Sequence, residues 1–357
     1  MELVNSSPVV VGYEIAGNNP DLSRTVMFTA KATFKIEDNG QTILERDAPL
    51  PLLNEDQSSE LGLYPRDNLP RLDPAFEVMM LGKAYAPDGQ AITEMQVALS
   101  VGGVRCEMDV IGERVWQGEG ESAKISPPEA FVTMPLTWER AFGGTHQVLI
   151  DREASLDVSY PMNSDGKGFD HITQAHQLGE SFQCPDGYPQ FDPVRPLPNL
   201  ELPSQRVDSW STTPLPTCWA PVPLSSGLIM ERFKRSCESR GEKYVVLGAP
   251  EMLHRAHPDW VIEPPAAGAE IRLEGLTRQG LLVFRLPEIR VVVDFQSGDR
   301  LQEVELVPRS LMLLPEEKCF YLTFRATANF ESLENEQRVA RVRLVKGWSP
   351  AETGTLQ

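Results

Sequence analysis

The segment VMFTAKATFKI, Val26 to Ile36, constrains the fold more than any other part of the chain. Phe28, Ala30, Ala32 and Phe34 recur at every second position, which places them on one face of an extended strand and scatters them around a helix. Asp38-Asn39-Gly40 follows, and residues of this kind supply the positive backbone dihedrals that a tight turn requires. The same alternation of strand and turn composition continues along the front of the chain. PVVVGYEI (Pro8 to Ile15), EVMMLGKAYA (Glu77 to Ala86) and ITEMQVALSV (Ile92 to Val101) are rich in β-branched and aromatic residues, and Pro87-Asp88-Gly89 and Gly102-Gly103 punctuate them. Strands joined so closely are expected to be mostly antiparallel neighbours.

The middle of the chain has a different character. Ten of the thirty prolines lie between Pro185 and Pro223, and proline neither donates to a sheet ladder nor continues a helix. Phe182, Tyr188, Phe191, Trp210 and Trp219 are too many aromatics for a solvated linker. The expectation is a long ordered insertion pinned by aromatic anchors. One good helix follows in LIMERFKRSCESRG, Leu228 to Gly241, where Ile229, Phe233 and Cys237 form a stripe. Ser225 or Ser226 can cap its start and Gly241 its end. Strand patterns then resume in EIRLEGL, LLVFRLP, IRVVVDFQ, VELVPRSLMLL, CFYLTFRATANF and ARVRLVKGW, between Glu270 and Trp348, and the polar tail SPAETGTLQ is expected to fray.

Strand-rich halves with one helix predict a mainly β protein, an antiparallel sandwich or open barrel with a long proline-rich insertion. The expected division is an N-terminal β lobe over 1–145, a loop-rich insertion over 146–226 and a C-terminal β lobe over 227–357, with a single continuous domain as the alternative.

The formal charge of −18 argues against a nucleic-acid partner, which calls for a basic stripe, and against docking on an anionic membrane. It is compatible either with solubility alone or with attraction to a basic partner. No Lys or Arg precedes the short apolar run at the N-terminus, so no secretory signal is expected. Nor does any run approach the ~18 apolar residues of a membrane helix. Five scattered cysteines without a CxxC pair suit a reducing compartment, and a cytoplasmic location is expected.

Six segments carry a resemblance. AKATFKI (Ala30 to Ile36), GKAYAPDGQ (Gly82 to Gln90), VGGVRCEMDVIGERVW (Val101 to Trp116), PLTWERAFGG (Pro135 to Gly144), GKGF (Gly166 to Phe169) and LPNLE (Leu197 to Glu201) stand in this order. In these the chain resembles the DUF2169 family found with bacterial type VI secretion systems. The resemblance is good over about residues 26 to 205 and weaker in the last third. It implies an adaptor or chaperone that delivers a toxic effector to the secretion spike. It marks Trp138, Glu139, Arg140, Phe142, Gly143, Gly144, Lys167, Gly168, Phe169, Asn199, Leu200 and Glu201 as signature or partner-binding positions. The expected partners are an effector, possibly one bearing a PAAR domain, and possibly the VgrG spike.

His254 and His257, with Asp259, have a spacing that could serve a metal, but Pro258 interrupts them and loop or partly buried histidines account for the pair. His171 and His176 share no face of a helix or strand. Nucleophilic catalysis needs an activated Ser or Cys with an oriented base, and neither a GxSxG elbow nor a base beside a cysteine is visible. GKGF lacks the spacing of a phosphate loop, so Lys167 is read as a donor in a tight loop or as a surface contact. Glu139, next to Arg140, is read as part of a structural ion pair before a general acid. Trp138, Phe142, Trp210, Trp219 and Trp348 are either core residues or anchors in a partner groove. No catalytic residue, metal or cofactor is expected. The alternative to an adaptor is a hydrolase of carbohydrate or peptide on a β scaffold, acting through paired carboxylates.

Overall fold

The computed structural model describes residues 1–18, 23–69, 73–118, 122–149, 155–169, 194–209, 212–224, 226–241, 250–331 and 337–347. Strand Ser23–Ile36 is one strand in from the end of the larger sheet, paired antiparallel with Val10–Asn18 on one side and with Cys319–Glu331 on the other. From Cys319–Glu331 the sheet continues through Arg300–Leu314, Ile289–Ser297 and Arg338–Gly347 to Glu2–Asn5. The two outermost strands approach each other, and the Tyr13 hydroxyl on Val10–Asn18 donates to the Met1 carbonyl at 3.1 Å. The result is a nearly closed, barrel-like sheet. Phe28 packs edge-on against Phe295, and Phe295 against Phe330, with centroids 5.6 and 5.9 Å apart.

Phe28, Ala30, Ala32 and Phe34 do share a buried face, as the alternation predicts. Met27, Thr29, Lys31 and Thr33 on the opposite face are buried too. The chain between Glu45 and Asp67 lies over them. Leu50 N donates to Thr33 Oγ1 at 3.0 Å, and Lys31 Nζ reaches the Pro51 carbonyl at 2.8 Å and Asp67 at 2.6 Å. Burial pushes the Lys31 amine below its ordinary value, against the pull of Asp67.

Strand Arg300–Leu314 serves two neighbours in turn. Its first half pairs with Ile289–Ser297 and its second with Cys319–Glu331, with a register shift between Pro308 and Ser310. Proline has no N–H for the ladder, so a bulge is where a long strand can hold one. Phe76–Met80 runs parallel to the second half.

A second sheet has the order Leu200–Glu201, Val104–Ile111, Glu94–Val101, Glu270–Glu274, Leu281–Arg285. Gly102 and Gly103 turn its tight hairpin with φ of 58° and 96°, the left-handed angles that glycine adopts without a Cβ penalty. Pro87-Asp88-Gly89 behaves differently. It forms a 3-10 turn, but the strand before it, Lys83–Tyr85, pairs with Thr133–Pro135 and not with the strand that follows. The turn carries the chain from one sheet to another instead of closing a hairpin.

The protein is mainly β. Strands from the first and last thirds of the chain share both sheets: Ser23–Ile36 pairs with Cys319–Glu331, and Glu94–Val101 with Glu270–Glu274. The predicted helix spans Gly227–Ser239, with Leu228, Ile229, Phe233 and Cys237 buried. Ser226 caps it by accepting from Leu228 N, and Gly241 leaves it at φ 68°. No helix among the described residues is long and apolar enough to cross a membrane.

Candidate functional site

Four of the six signature segments meet at one corner beside the second sheet. Trp138–Arg140 forms a 3-10 turn, after which Ala141 bridges Leu200 in parallel and Phe142–Gly143 pairs with Lys167–Gly168. The corner is therefore built from short backbone ladders between segments far apart in sequence.

Two buried asparagines tie these ladders together. Asn199 exchanges two bonds with Ile111: its Nδ2 donates to the Ile111 carbonyl and Ile111 N donates to the Asn199 carbonyl, both at 2.8 Å. Asn199 N also donates to the Arg140 carbonyl at 2.8 Å. Asn163 Nδ2 donates to the carbonyls of Trp138 and Phe142 at 2.8 and 3.1 Å, while its own carbonyl accepts from Gly144 N. Gly143, at φ 148°, passes so close to Asn163 that an added Cβ would lie 2.1 Å from the Asn163 carbonyl oxygen.

The aromatic residues close the other side. Trp138 is buried, its Nε1 donates to the carbonyls of Ala220 and Pro221 at 3.1 and 3.0 Å, and its indole stacks on the His257 ring. Phe142 meets Tyr160 edge-on, and Tyr160 packs against Phe169.

Charge is arranged in a triad and a pair of different depth. At the surface Glu113 takes Arg140 on one oxygen at 2.8 Å and Lys167 on the other at 2.6 Å. Arg140 donates to Asn199 Oδ1 from the same nitrogen, at 3.0 Å. Burial raises the Glu113 carboxyl, but Lys167 and Arg140 outweigh it and hold the group below the usual carboxylate range. Burial is also what lowers Lys167, against Glu113. Deeper in, Arg114 pairs with Glu201, which also accepts from Val207 N, and donates to the Pro198 carbonyl at 3.1 Å. Burial pushes the Glu201 carboxyl up in spite of Arg114.

Arg140 thus pairs with Glu113, not with its sequence neighbour Glu139. Glu139 is exposed and lines an open groove with Glu60 and Thr137. Leu200 is buried and Gly168 takes φ 98° against Pro198. Three residues that hold the corner, Glu113, Arg114 and Asn163, were not singled out in the sequence. Glu113 and Arg114 lie inside a signature segment, whereas Asn163 had no signal beyond its place just before GKGF.

The remaining candidates take no part in the ladders of the corner, although His257 packs against it through Trp138. His254 sits between Asp73, at 2.9 Å from Nε2, and Arg232, at 2.8 Å from Nδ1. His257 bonds the Pro216 carbonyl through Nε2, accepts from Asp259 N through Nδ1, and is lowered by burial. Neither arrangement resembles a ligand pair, and no cluster of His, Cys, Asp and Glu suited to a metal occurs among the described residues. Cys106, Cys218, Cys237 and Cys319 are free thiols, and burial pushes Cys106 up to about 11 and Cys218 and Cys319 up to about 12. Trp219 is a core residue that meets Trp260 edge-on. Phe182, Tyr188, Phe191, Trp210, Trp348, His171, His176, Cys184, the central part of the proline-rich insertion and the C-terminal tail lie outside the described residues.

Comparison with known proteins finds no match among curated proteins and none among solved structures. The segments that build the corner fall within a family match that covers residues 21–325, described as an uncharacterized protein conserved in bacteria, and the chain belongs to that family, DUF2169.

Proposed function

We propose that this protein is a non-catalytic adaptor or chaperone that holds a type VI secretion effector and helps to load it onto the VgrG/PAAR spike. The direction comes from the family resemblance. The observation that supports it is the use to which the signature residues are put. Asn199, Arg140, Lys167, Arg114 and Glu201, together with Asn163 from outside the signature segments, bond one another, Glu113 or nearby backbone. Such a corner fixes the relative position of segments and presents a surface, which is what a binding protein needs of its best-defined region. Glu113 is held ionised by two cations, so it suits structural pairing better than proton donation. The raised thiols are poor nucleophiles, because the thiolate is the reactive form.

An adaptor releases as well as holds, so the interface is expected to be of moderate size. Deleting the gene tests the reading. Secretion of one cognate effector should stop while the rest of the apparatus keeps firing, and the effector should co-purify with the protein from the cytoplasm. Normal secretion and intoxication by that effector after deletion would overturn the adaptor reading and favour a hydrolase.

A further inference from the structure

Three turns converge on a cavity of about 420 Å³ whose lining shares no residue with the signature corner. They are Glu37 to Gln41, the Thr277–Gly280 turn between Glu270–Glu274 and Leu281–Arg285, and the 3-10 turn Pro315–Glu317. Backbone bonds hold all three in place. Ile36 N donates to the Lys318 carbonyl at 2.8 Å, Gly280 N to the Thr277 carbonyl at 2.9 Å, and Tyr85 N to the Gly275 carbonyl at 2.9 Å. Lys318 itself takes the left-handed conformation, φ 50°.

The lining has three chemical parts. Ile36, Leu282 and Pro315 give it an apolar floor, and Leu281, 46% exposed, stands at the rim. The Thr277 hydroxyl is buried with the residue only 7% exposed, and it has no hydrogen-bond partner among the described residues. With almost no surface of its own open to the cavity, that hydroxyl is walled off behind the lining. Acidic groups outnumber basic ones around the mouth. Glu37, Asp38 and Glu316 face Arg278 and Lys318, and Lys318 is already paired with Asp38 at 2.7 Å. Glu316 receives the Tyr85 hydroxyl at 2.5 Å, and Arg278 lies over the Tyr85 ring.

We infer that this cavity is the docking pocket for an extended segment of the protein partner, one in which an apolar side chain is flanked by basic residues. The apolar side chain sits on the floor beside Leu281, and the basic residues meet Glu37 and Glu316. The acid-rich mouth on a chain of charge −18 gives the partner its sign. This assignment rests on the adaptor reading for the identity of the partner, whereas the chemistry of the pocket is tested without it.

The probe is a fluorescein-labelled Gly/Ser peptide with a single Lys-Leu-Lys core, titrated against the full chain by anisotropy. Peptides with Glu-Leu-Glu and Lys-Ser-Lys cores are the comparators. The Lys-Leu-Lys peptide should bind at least about tenfold more tightly than either, as expected for loss of an anchor or reversal of charge. Leu281→Glu should weaken it by a similar factor. Leu281→Ser makes the same test without added charge if the Glu variant does not fold. Absence of binding by the wild-type chain, or binding that ignores the Leu281 variants, overturns the pocket. Effector co-purification separates the two readings. An effector held by wild type and lost from the Leu281 variant supports both. Equal retention by the two overturns this surface and leaves the adaptor standing. If the wild-type chain holds no effector, the adaptor reading fails and the peptide titration alone decides the pocket.

Discussion

Replacing Trp138 by alanine should destabilise the whole signature corner, and the structure sets the size of the effect. The indole is buried, stacks on His257 at 6.4 Å between centroids, and gives its N–H to Ala220 and Pro221. Truncating a buried aromatic to alanine costs about 3–5 kcal/mol, through lost transfer energy and the cavity left behind. Unfolding entropy near 60 °C is about 2.1 cal/mol/K per residue, so a chain of 357 residues has about 0.75 kcal/mol/K in total. The loss therefore appears as a drop in melting temperature of about 4–7 °C. Trp138→Phe divides the effect. It keeps a ring in place but leaves two carbonyls without their donor, which costs about 1–3 kcal/mol, or about 1–4 °C. Scanning calorimetry of the three proteins reads both numbers. A Trp138→Ala protein that melts with the wild type, and has lost only its effector, would refute the argument and move Trp138 from the scaffold into the interface.

Gly143→Ala should be at least as damaging, because its Cβ would meet the Asn163 carbonyl oxygen at 2.1 Å; folded yield on expression checks this, and normal yield would mean that the corner yields easily. Arg114→Met leaves Glu201 buried without its cation and should cost about 3–5 kcal/mol in urea unfolding, whereas Arg114→Met with Glu201→Leu should recover most of it. Stability should fall in acid: Lys35 and two backbone N–H groups hold Glu45 at about 2, Arg105 and Arg272 hold Glu274 at about 2, and Glu113 is lowered too. The unfolded chain takes up these protons first, near the ordinary 4.5, so the stabilisation is complete above that value and drains as pH falls towards about 2. Melting temperatures between pH 7 and pH 2.5 read the slope, which Glu201, shifted the other way, opposes in part. Finally, if the −18 charge assists capture, the effector association rate should fall as salt rises; a salt-insensitive rate removes steering and leaves the adaptor reading in place.

Local residue patterns suffice to say which segments are extended and where the chain turns. Period two in Phe28, Ala30, Ala32 and Phe34, paired glycines at 102–103, and a capped stripe from Ser226 to Gly241 are local signals, and each formed the element it specified. Which strands pair is settled by long-range packing. A strand's pattern records that a face is buried but not by what, so the partnership of Ser23–Ile36 with a strand some three hundred residues later was not legible. For the same reason, nothing local announced that the opposite face would be covered by the chain between Glu45 and Asp67. The signature corner follows the same division. Its segments could be picked out as words, but the pairing of Arg140 with Glu113 in place of Glu139, and the grip of Asn163 and Asn199 on distant carbonyls, exist only once the ladders bring them within 3 Å. Hydrogen bonds and ion pairs are short-ranged, and the distances that select them are set by packing of the whole chain.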